Sequence, residues 1–147
     1  MYEFLDWTVQ DVMSRPVTIG PDATLADAEA LFEKHRFNAL PVVDAGERLV
    51  GLVTSLDLLR AFDFPDDALL PPFDEVMRRP VSEILIRDVE TVAPATPLSR
   101  VLQKIVETRN KSFPVLEGDR VIGMVAREDV MLGLRRGAQG HKGPVES

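Results

Sequence analysis

Residues 51–59 read GLVTSLDLL and residues 123–131 read GMVAREDVM, so one pattern of glycine, apolar residues and an acid occurs twice, 72 positions apart. The likeness extends upstream, where residues 40–44 (LPVVD) match residues 113–117 (FPVLE). A repeat at this spacing indicates a duplicated folding unit. Each copy is too short to bury a sufficient core alone, so we expect the two copies to pack face to face.

Each copy predicts the same order of elements, β, α, β, β, α. A short strand rich in β-branched residues comes first, at 17–19 and 89–92, and an amphipathic helix follows it. Two apolar runs joined by a turn then predict a hairpin, after which a helix begins at Thr54 in the first copy and near Ala126 in the second. The sequence therefore predicts an α/β (α+β) fold of two pseudo-symmetric repeats packed through their sheets.

The copies divide the chain into four parts. Residues 1–62 hold an N-terminal segment and the first repeat, and residues 81–136 hold the second repeat. Four prolines make residues 63–80 a linker, with one helical turn at 73–77. Glycine and polar residues in 137–147 predict a disordered tail. We expect three aromatic residues to fasten the N-terminus to the core: Tyr2, Phe4 and Trp7.

The composition is that of a soluble globular protein, with 45% hydrophobic and 28% charged residues in a chain of 147. No apolar stretch is long enough to cross a bilayer, and the acidic start does not resemble a signal peptide. Because cysteine is absent, we expect a cytoplasmic protein. The formal charge of -7 disfavours nucleic-acid binding, although a local pocket can still be positive enough for a small anion.

Asp57 and Asp129 occupy matching positions in the first turn of the helix after each hairpin. A carboxylate there can accept hydrogen bonds from two ribose hydroxyls, beside backbone N–H groups that suit a phosphate. The alternative for Asp57 is structural, with Thr54 as the N-cap and Asp57 completing a capping box. Ala126 cannot cap, so capping-box pairing is not expected to explain Asp129, although compensation of the helix dipole could.

Catalytic and metal-binding patterns are not found in the sequence. His35 and His141 stand alone, without a cluster of carboxylates beside them. Neither a nucleophile elbow nor a phosphate loop is present. We therefore expect no enzyme, no bound metal and no catalytic cofactor.

Taken together, the motifs DVM at 11–13, VTI at 17–19, PDATL at 21–25, LPVVD at 40–44 and GLVTSLDLL at 51–59 resemble the CBS domain, named for cystathionine β-synthase. Two copies in tandem resemble a stand-alone Bateman module. The resemblance implies a regulatory sensor that binds AMP, ADP, ATP or S-adenosylmethionine in the clefts between the repeats. It also implies a homodimer that signals to an unlinked effector protein, away from membranes.

In this family the Thr-x-x-Asp of one repeat faces the opening strand of the other. The resemblance therefore implies one site from Thr54 and Asp57 with the second opening strand, and another from Asp129 with the first. The opening-strand residues implied are Val17, Thr18, Ile19, Val89, Glu90 and Val92.

Phosphate contacts and the balance between the two sites depend on a few further positions. Lys111 matches a position where the family can place a basic residue against phosphate, and the first copy has Asn38 there. The alternative for Lys111, and for Arg127, is an ordinary solvated cation. Because Ala126 lacks the hydroxyl of the first copy, we expect the second site to be weaker. The acid Glu90 would repel phosphate if it faced the ligand.

A second hypothesis is a ligand-free homodimerisation and protein-interaction module. It rests on exposed apolar residues in the helices after the hairpins, which are Leu58, Leu59, Val130 and Met131. Helical spacing makes them core or dimer contacts under either hypothesis, so they do not discriminate between the two.

Overall fold

The computed structural model describes residues 2–35, 37–63 and 72–139. These residues form six α-helices and two antiparallel hairpins. The helices are α1 (Tyr2–Leu5), α2 (Leu25–His35), α3 (Ser55–Arg60), α4 (Phe73–Met77), α5 (Leu98–Thr108) and α6 (Arg127–Ala138). The strands are β1 (Ala39–Val43), β2 (Leu49–Thr54), β3 (Ser112–Glu117) and β4 (Arg120–Ala126), with single 3₁₀ turns at Val9–Asp11 and Val81–Glu83. The mixed α+β class and both hairpins are as predicted.

The chain forms two compact units that do not coincide with the two sequence repeats. The first-copy unit is residues 17–89, and the second-copy unit joins residues 1–16 to residues 90–147. The segment that leads into each repeat therefore belongs to the unit of the other repeat. The two copies thus exchange their lead segments. The exchange is the same in both directions, as expected for a duplicated sequence.

Backbone hydrogen bonds attach each lead segment to the outer strand of a hairpin. In the first-copy unit, the Leu52 N–H donates to the Ile86 carbonyl and the Ile86 N–H to the Leu52 carbonyl, both at 2.8 Å. In the second-copy unit, the Ser14 and Met124 backbones exchange the same two bonds, at 2.9 and 3.1 Å. Each hairpin thus gains a short antiparallel neighbour at its edge.

The opening strands predicted at 17–19 and 89–92 are shorter than expected. Each provides a single parallel bridge, Ile19 beside Val42 and Val92 beside Val115. Prolines follow both segments closely, at Pro21 and Pro94, and proline cannot donate to a sheet. The third strand of each unit is therefore reduced to one bridging residue.

Each unit has its own apolar core. In the first-copy unit, α2 buries Leu25, Ala28 and Phe32 against the hairpin. In the second-copy unit, Trp7 is fully buried and Phe4 is 4% exposed, and both pack in the core that α5, α6 and the second hairpin surround. The predicted fastening of the N-terminus is thus observed for these two aromatic residues.

The end of α6 differs from the predicted tail. The helix continues to Ala138, and Gly137 is buried because α1 crosses it. A Cβ at Gly137 would lie 3.0 Å from the Phe4 backbone nitrogen, so a side chain there would displace α1 by a few tenths of an ångström. Residues 140–147, including His141, lie outside the described residues, as do residues 64–71 of the linker. The helical turn predicted at 73–77 is α4.

Thr24 caps α2 through a reciprocal capping box. The Asp27 N–H donates to Thr24 Oγ1 at 3.1 Å, and the Thr24 N–H donates to Asp27 Oδ2 at 3.0 Å. Thr24→Ala removes one acceptor from the start of the helix, so we expect a loss of about 1 kcal/mol in the free energy of unfolding. Urea unfolding measures this loss. Ser99→Ala in the first turn of α5 is the control, and an equal loss in both variants would contradict the capping role.

Candidate functional site

Asp57 is held at the start of α3 by a complete capping box. Its carboxylate Oδ2 accepts from the Thr54 N–H at 2.8 Å and from the Thr54 hydroxyl at 2.7 Å. The Asp57 N–H in turn donates to Thr54 Oγ1 at 3.2 Å. The structural alternative for Asp57 is therefore present in the fold.

The second carboxylate oxygen of Asp57, Oδ1, has fewer contacts than Oδ2. Asp57 is 4% exposed and is the one buried charged side chain among the described residues. Its Oδ1 faces only the Arg60 guanidinium, with Nη1 at 3.8 Å, and accepts no hydrogen bond within the described part of the chain. Since no carboxylate oxygen of the described residues is both fully buried and without a hydrogen-bond partner, this Oδ1 reaches the surface of the protein, where it can accept from an incoming hydroxyl group.

Asp129 repeats half of this arrangement, which corrects the expectation that Ala126 rules out capping-box pairing. The Ala126 backbone N–H donates to Asp129 Oδ2 at 2.8 Å, a bond that needs no side chain at position 126. The missing half is the threonine hydroxyl. Burial raises the pKa of the Asp129 carboxyl above its ordinary value of 3.8, the bond from Ala126 opposes that shift, and the neighbouring Glu128 adds to it.

The raised pKa of Asp129 makes stability depend on pH in a definite direction. Between the ordinary value of 3.8 and the higher folded pKa, the folded state binds more protons than the unfolded state. The contribution of Asp129 therefore falls as pH rises through the folded pKa and then stays constant. Asp129→Asn lacks this change but keeps an oxygen for the Ala126 N–H.

We expect the free energy of unfolding of Asp129→Asn, minus that of the natural protein, to increase as pH rises from about 4 to 7. Urea unfolding across that pH range measures the difference. Asp119→Asn, at an exposed position in the turn between β3 and β4, controls for the loss of one negative charge. A difference that shrinks with rising pH would contradict the assignment.

The positions matched to phosphate contacts have an identifiable structural role. The Ser55 N–H donates to the Asn38 carbonyl and the Arg127 N–H to the Lys111 carbonyl, both at 3.0 Å. Asn38 and Lys111 thus join the start of a strand to the start of a helix through their backbones. Both side chains are at exposed positions, which leaves the phosphate role of Lys111 a prediction.

The Arg127 side chain donates hydrogen bonds to backbone carbonyls, so it is not an ordinary solvated cation. Its Nη2 donates to the Arg109 carbonyl at 2.6 Å, and its Nε donates to the Asn110 carbonyl at 3.3 Å. Arg109 has a φ of 61° and ends α5 in the left-handed conformation. The guanidinium therefore satisfies carbonyls beyond the end of that helix, a contact that sequence reasoning missed because the partners are backbone atoms 17 and 18 residues away.

Glu90 is paired with a cation that the sequence did not suggest. Lys104 Nζ lies 2.8 Å from Glu90 Oε2. The two side chains are 26% and 50% exposed, so the pair contributes little to stability. The pairing does lower the negative charge that a ligand beside Glu90 would meet.

The predicted site residues divide between the two units. The first-copy unit holds the opening segment Val17, Thr18 and Ile19 together with Asn38, Thr54, Asp57 and Val89, and the second-copy unit holds Glu90, Val92, Lys111 and Asp129. Within the first-copy unit, Thr54 ends β2 opposite Ala39, where β1 begins. The capped helix start and the beginning of the central strand therefore lie side by side in that unit.

The apolar residues proposed for association fall into two groups. Leu58 and Val130 are 9% and 2% exposed and belong to the cores, so their predicted exposure is wrong. Leu59 and Met131 are 70% and 56% exposed. Each helix turns one of two adjacent apolar residues inward and the other outward.

No group of three or more histidine, aspartate or glutamate side chains in residues 2–35, 37–63 and 72–139 is placed to hold a metal ion. Within the same ranges, no helix has the length and apolar character needed to span a bilayer.

Comparison with known proteins finds the same duplication in this chain. The CBS domain family model matches it twice, at residues 9–63 and 81–136. Protein MJ1004 of Methanocaldococcus jannaschii is 37% identical over 87% of this chain, which spans 56% of that protein. The chain spans only 14% to 24% of the lengths of three other curated relatives it matches.

Two solved structures with bound ligands resemble the chain along most of its length. One is the CBS domain pair of protein MJ0100 in complex with 5-methylthioadenosine and S-adenosyl-L-methionine, 28% identical, with a TM-score of 0.72 over 90% of this chain and 98% of that chain. The other is CBSX2 in complex with AMP, 25% identical, with a TM-score of 0.75 over 88% of this chain and 97% of that chain.

Proposed function

Because the chain belongs to the CBS domain family and contains two CBS domains in tandem, we propose that it is a regulatory module that binds an adenosine-containing ligand and catalyses no reaction itself. The ligand classes are AMP, ADP, ATP and S-adenosylmethionine. We further propose that it acts in the cytoplasm, as a homodimer whose ligand state is sensed by a separate effector protein.

The observation that carries this proposal is the carboxylate of Asp57. One oxygen is fixed by Thr54, which sets the orientation of the group, and the other has no close donor. A carboxylate held in this way is suited to accept hydrogen bonds from the 2′ and 3′ hydroxyls of a ribose. The cost of holding a charge in a buried position is then offset by ligand donors as well as by the capping bonds.

The ligands bound by the two similar structures support the same class of small molecule. Both AMP and S-adenosyl-L-methionine contain an adenosine, and they differ in the group attached to the ribose. The shared part is thus the base and the sugar. A site centred on a ribose-binding carboxylate fits this shared part and leaves the choice of the variable group to other residues.

The two copies are expected to bind with unequal affinity. Asp57 has the threonine hydroxyl as well as the backbone N–H, whereas Asp129 has the backbone N–H alone. The site that includes Asp57 should therefore be the stronger at neutral pH.

Isothermal titration calorimetry of the purified full chain tests the proposal directly. AMP, ADP, ATP and S-adenosylmethionine are titrated separately, with adenine and ribose as probes of the two halves of adenosine. We expect saturable heat for at least one adenosine ligand and none for ribose alone. No heat and no shift in Tm with any of the four ligands at millimolar concentration would reject the proposal.

A second candidate function is a ligand-free association module. The specific observation in its favour is the apolar surface of α3, where Leu56 and Leu59 are 51% and 70% exposed. Analytical ultracentrifugation with and without AMP separates the candidates. A dimer that Leu59→Glu dissociates, in a chain that binds none of the four ligands, would support association alone.

A further inference from the structure

An open groove of about 430 Å³ lies wholly within the second-copy unit. Its walls are the opening segment of the second copy, the first half of α5 and the end of β3. The lining residues are Thr91, Val92, Ala93, Thr96, Arg100, Lys104, Leu116 and Gly118. A volume of this size falls within the range of small-molecule sites in proteins.

The groove is separate from the helix start that carries Asp129. Ser112, at the beginning of β3, pairs with Ala126, whereas Leu116 lies four residues further along the same strand. Four residues of extended chain span about 13 Å. Within the second-copy unit, the groove and Asp129 therefore lie toward opposite ends of the central strand.

Two cationic side chains line the groove on one face of α5. Arg100 and Lys104 are four residues apart and are therefore neighbours on the helix surface. Lys104 is paired with Glu90, whereas Arg100 has no ion-pair partner among the described residues. Arg100 also lies in the first turn, which contains no acid and where the helix dipole disfavours a cation. An anion between the two side chains would give Arg100 an ion-pair partner. It would also offset the unfavourable interaction of Arg100 with the helix dipole.

The corresponding positions of the first copy show that neither cation is required by the fold. Leu25 and Leu98 begin the matching helices, so Arg100 corresponds to Asp27 and Lys104 corresponds to Leu31. Asp27 accepts a hydrogen bond from the backbone at the start of α2, and Leu31 packs against the first-copy core. The second copy has a cation at each position instead, and both of them line the groove.

Hydroxyl groups and an unobstructed edge complete the groove. Thr96 Oγ1 accepts from the Ala93 N–H at 2.9 Å, so its own hydroxyl hydrogen remains available to donate, and Thr91 supplies a second hydroxyl. Gly118 has a φ of 66°, a conformation that disfavours a side chain, and the space beside it is open. The groove thus combines a planar guanidinium, an ammonium and two hydroxyls around one opening.

We propose that this groove is a second ligand site, which binds the phosphate group of a small phosphorylated metabolite between Arg100 and Lys104. A guanidinium binds two phosphate oxygens at once, and an ammonium with hydroxyl donors can satisfy the remaining oxygen. The volume exceeds that of a phosphate ion, so the ester group of the metabolite lies along Val92 and Leu116. Glu90 competes with the phosphate for Lys104 and sets a threshold for binding.

Amide NMR of the full ¹⁵N-labelled chain tests the site. Inorganic phosphate and glycerol 3-phosphate are titrated separately, with sodium chloride holding the ionic strength constant. We expect saturable shifts at the amides of residues 91–93, 95, 96, 100, 104 and 118 with both probes. Tighter binding of glycerol 3-phosphate would identify a phosphate ester as the ligand, and tighter binding of inorganic phosphate would identify the free ion and overturn the metabolite assignment.

Two substitutions taken from the first copy sharpen the test. Arg100→Asp and Lys104→Leu install the residues found at the matching positions, and each is expected to weaken phosphate binding about ten-fold or more. Arg100→Lys keeps the charge, so a folded variant with intermediate affinity is expected. Arg135→Gln, at an exposed position in the last turn of α6, is the control for lost positive charge and should leave the affinity unchanged.

The proposal is independent of adenosine binding, and its failure can be recognised separately. Shifts that remain linear in probe concentration, or that are confined to residues 126–129, would overturn it. So would unchanged affinity in well-dispersed spectra of the Arg100 and Lys104 variants. Adding AMP should shift residues 54–57 whether or not the groove binds phosphate, so loss of that response would count against the proposed function alone.

Discussion

Replacing Gly51 by valine is expected to lower the free energy of unfolding by about 3 kcal/mol. Gly51 lies in β2 where the exchanged segment crosses it. A Cβ at this position would lie 2.5 Å from the Ile86 carbonyl oxygen and 2.6 Å from Leu85 Cδ1. Because the nearer atom belongs to the backbone, the clash cannot be relieved by rotating a side chain. The Ile86 segment must move away and lose its two hydrogen bonds to Leu52.

Urea unfolding of the full chain measures the loss. The matched control is Gly20→Ala, since an added Cβ there has no heavy atom within 4 Å. The equivalent glycine of the second copy, Gly123, has Met13 Sδ at 2.9 Å and the Ser14 carbonyl at 3.0 Å, so Gly123→Val should be destabilising too. A Gly51→Val protein as stable as Gly20→Ala would contradict the packing described for this edge.

Asp57→Ala is expected to weaken adenosine-ligand binding by about 10- to 150-fold, the loss that follows from removing a charged acceptor of ligand hydroxyls. The same change removes the capping acceptor for the Thr54 N–H, so the free energy of unfolding should fall by about 1 kcal/mol as well. Affinity and stability must therefore be measured on the same variant, by calorimetric titration and by urea unfolding.

Asp27→Ala is the matched control, because Asp27 has the same place in the capping box of α2 that Asp57 has in that of α3. Its loss should lower stability to a similar extent and leave ligand affinity unchanged. Equal affinities for the Asp27 and Asp57 variants would remove the ribose role from Asp57 and leave only its structural one.

Local features of the fold could be predicted from the sequence because their partners are close in the chain. The capping box at Thr54 joins residues three apart, and the hairpins require only two apolar runs and a turn. The exchange of lead segments could not be predicted in this way. Ser14 and Met124 are 110 residues apart, and no local pattern identifies such a partner. The repeated glycine was the available signal, since Gly51 and Gly123 lie where these segments cross.

For the candidate site too, the sequence predicted the features that depend on a local pattern and missed the contacts that do not. The two acids were found from their matching positions, and the capping geometry of Asp57 follows from residue types alone. The bond from the Ala126 N–H to Asp129 was missed because backbone donors do not depend on the side chain at that position. Contacts between side chains distant in sequence, such as Lys104 with Glu90, also have no local pattern.

Because the lead segments are exchanged, the two units can be completed only one after the other during synthesis. Residues 17–89 are contiguous, so every strand and helix of the first-copy unit has left the ribosome once residue 89 emerges. Residues 1–16, in contrast, are made before them and have their partners in residues 90–147. At typical translation rates, Phe4 and Trp7 have no core to enter for about ten seconds. Phe4 and Trp7 are thus buried later than the core within residues 17–89 can form, and during that interval they are open to chaperones, proteases or other nascent chains.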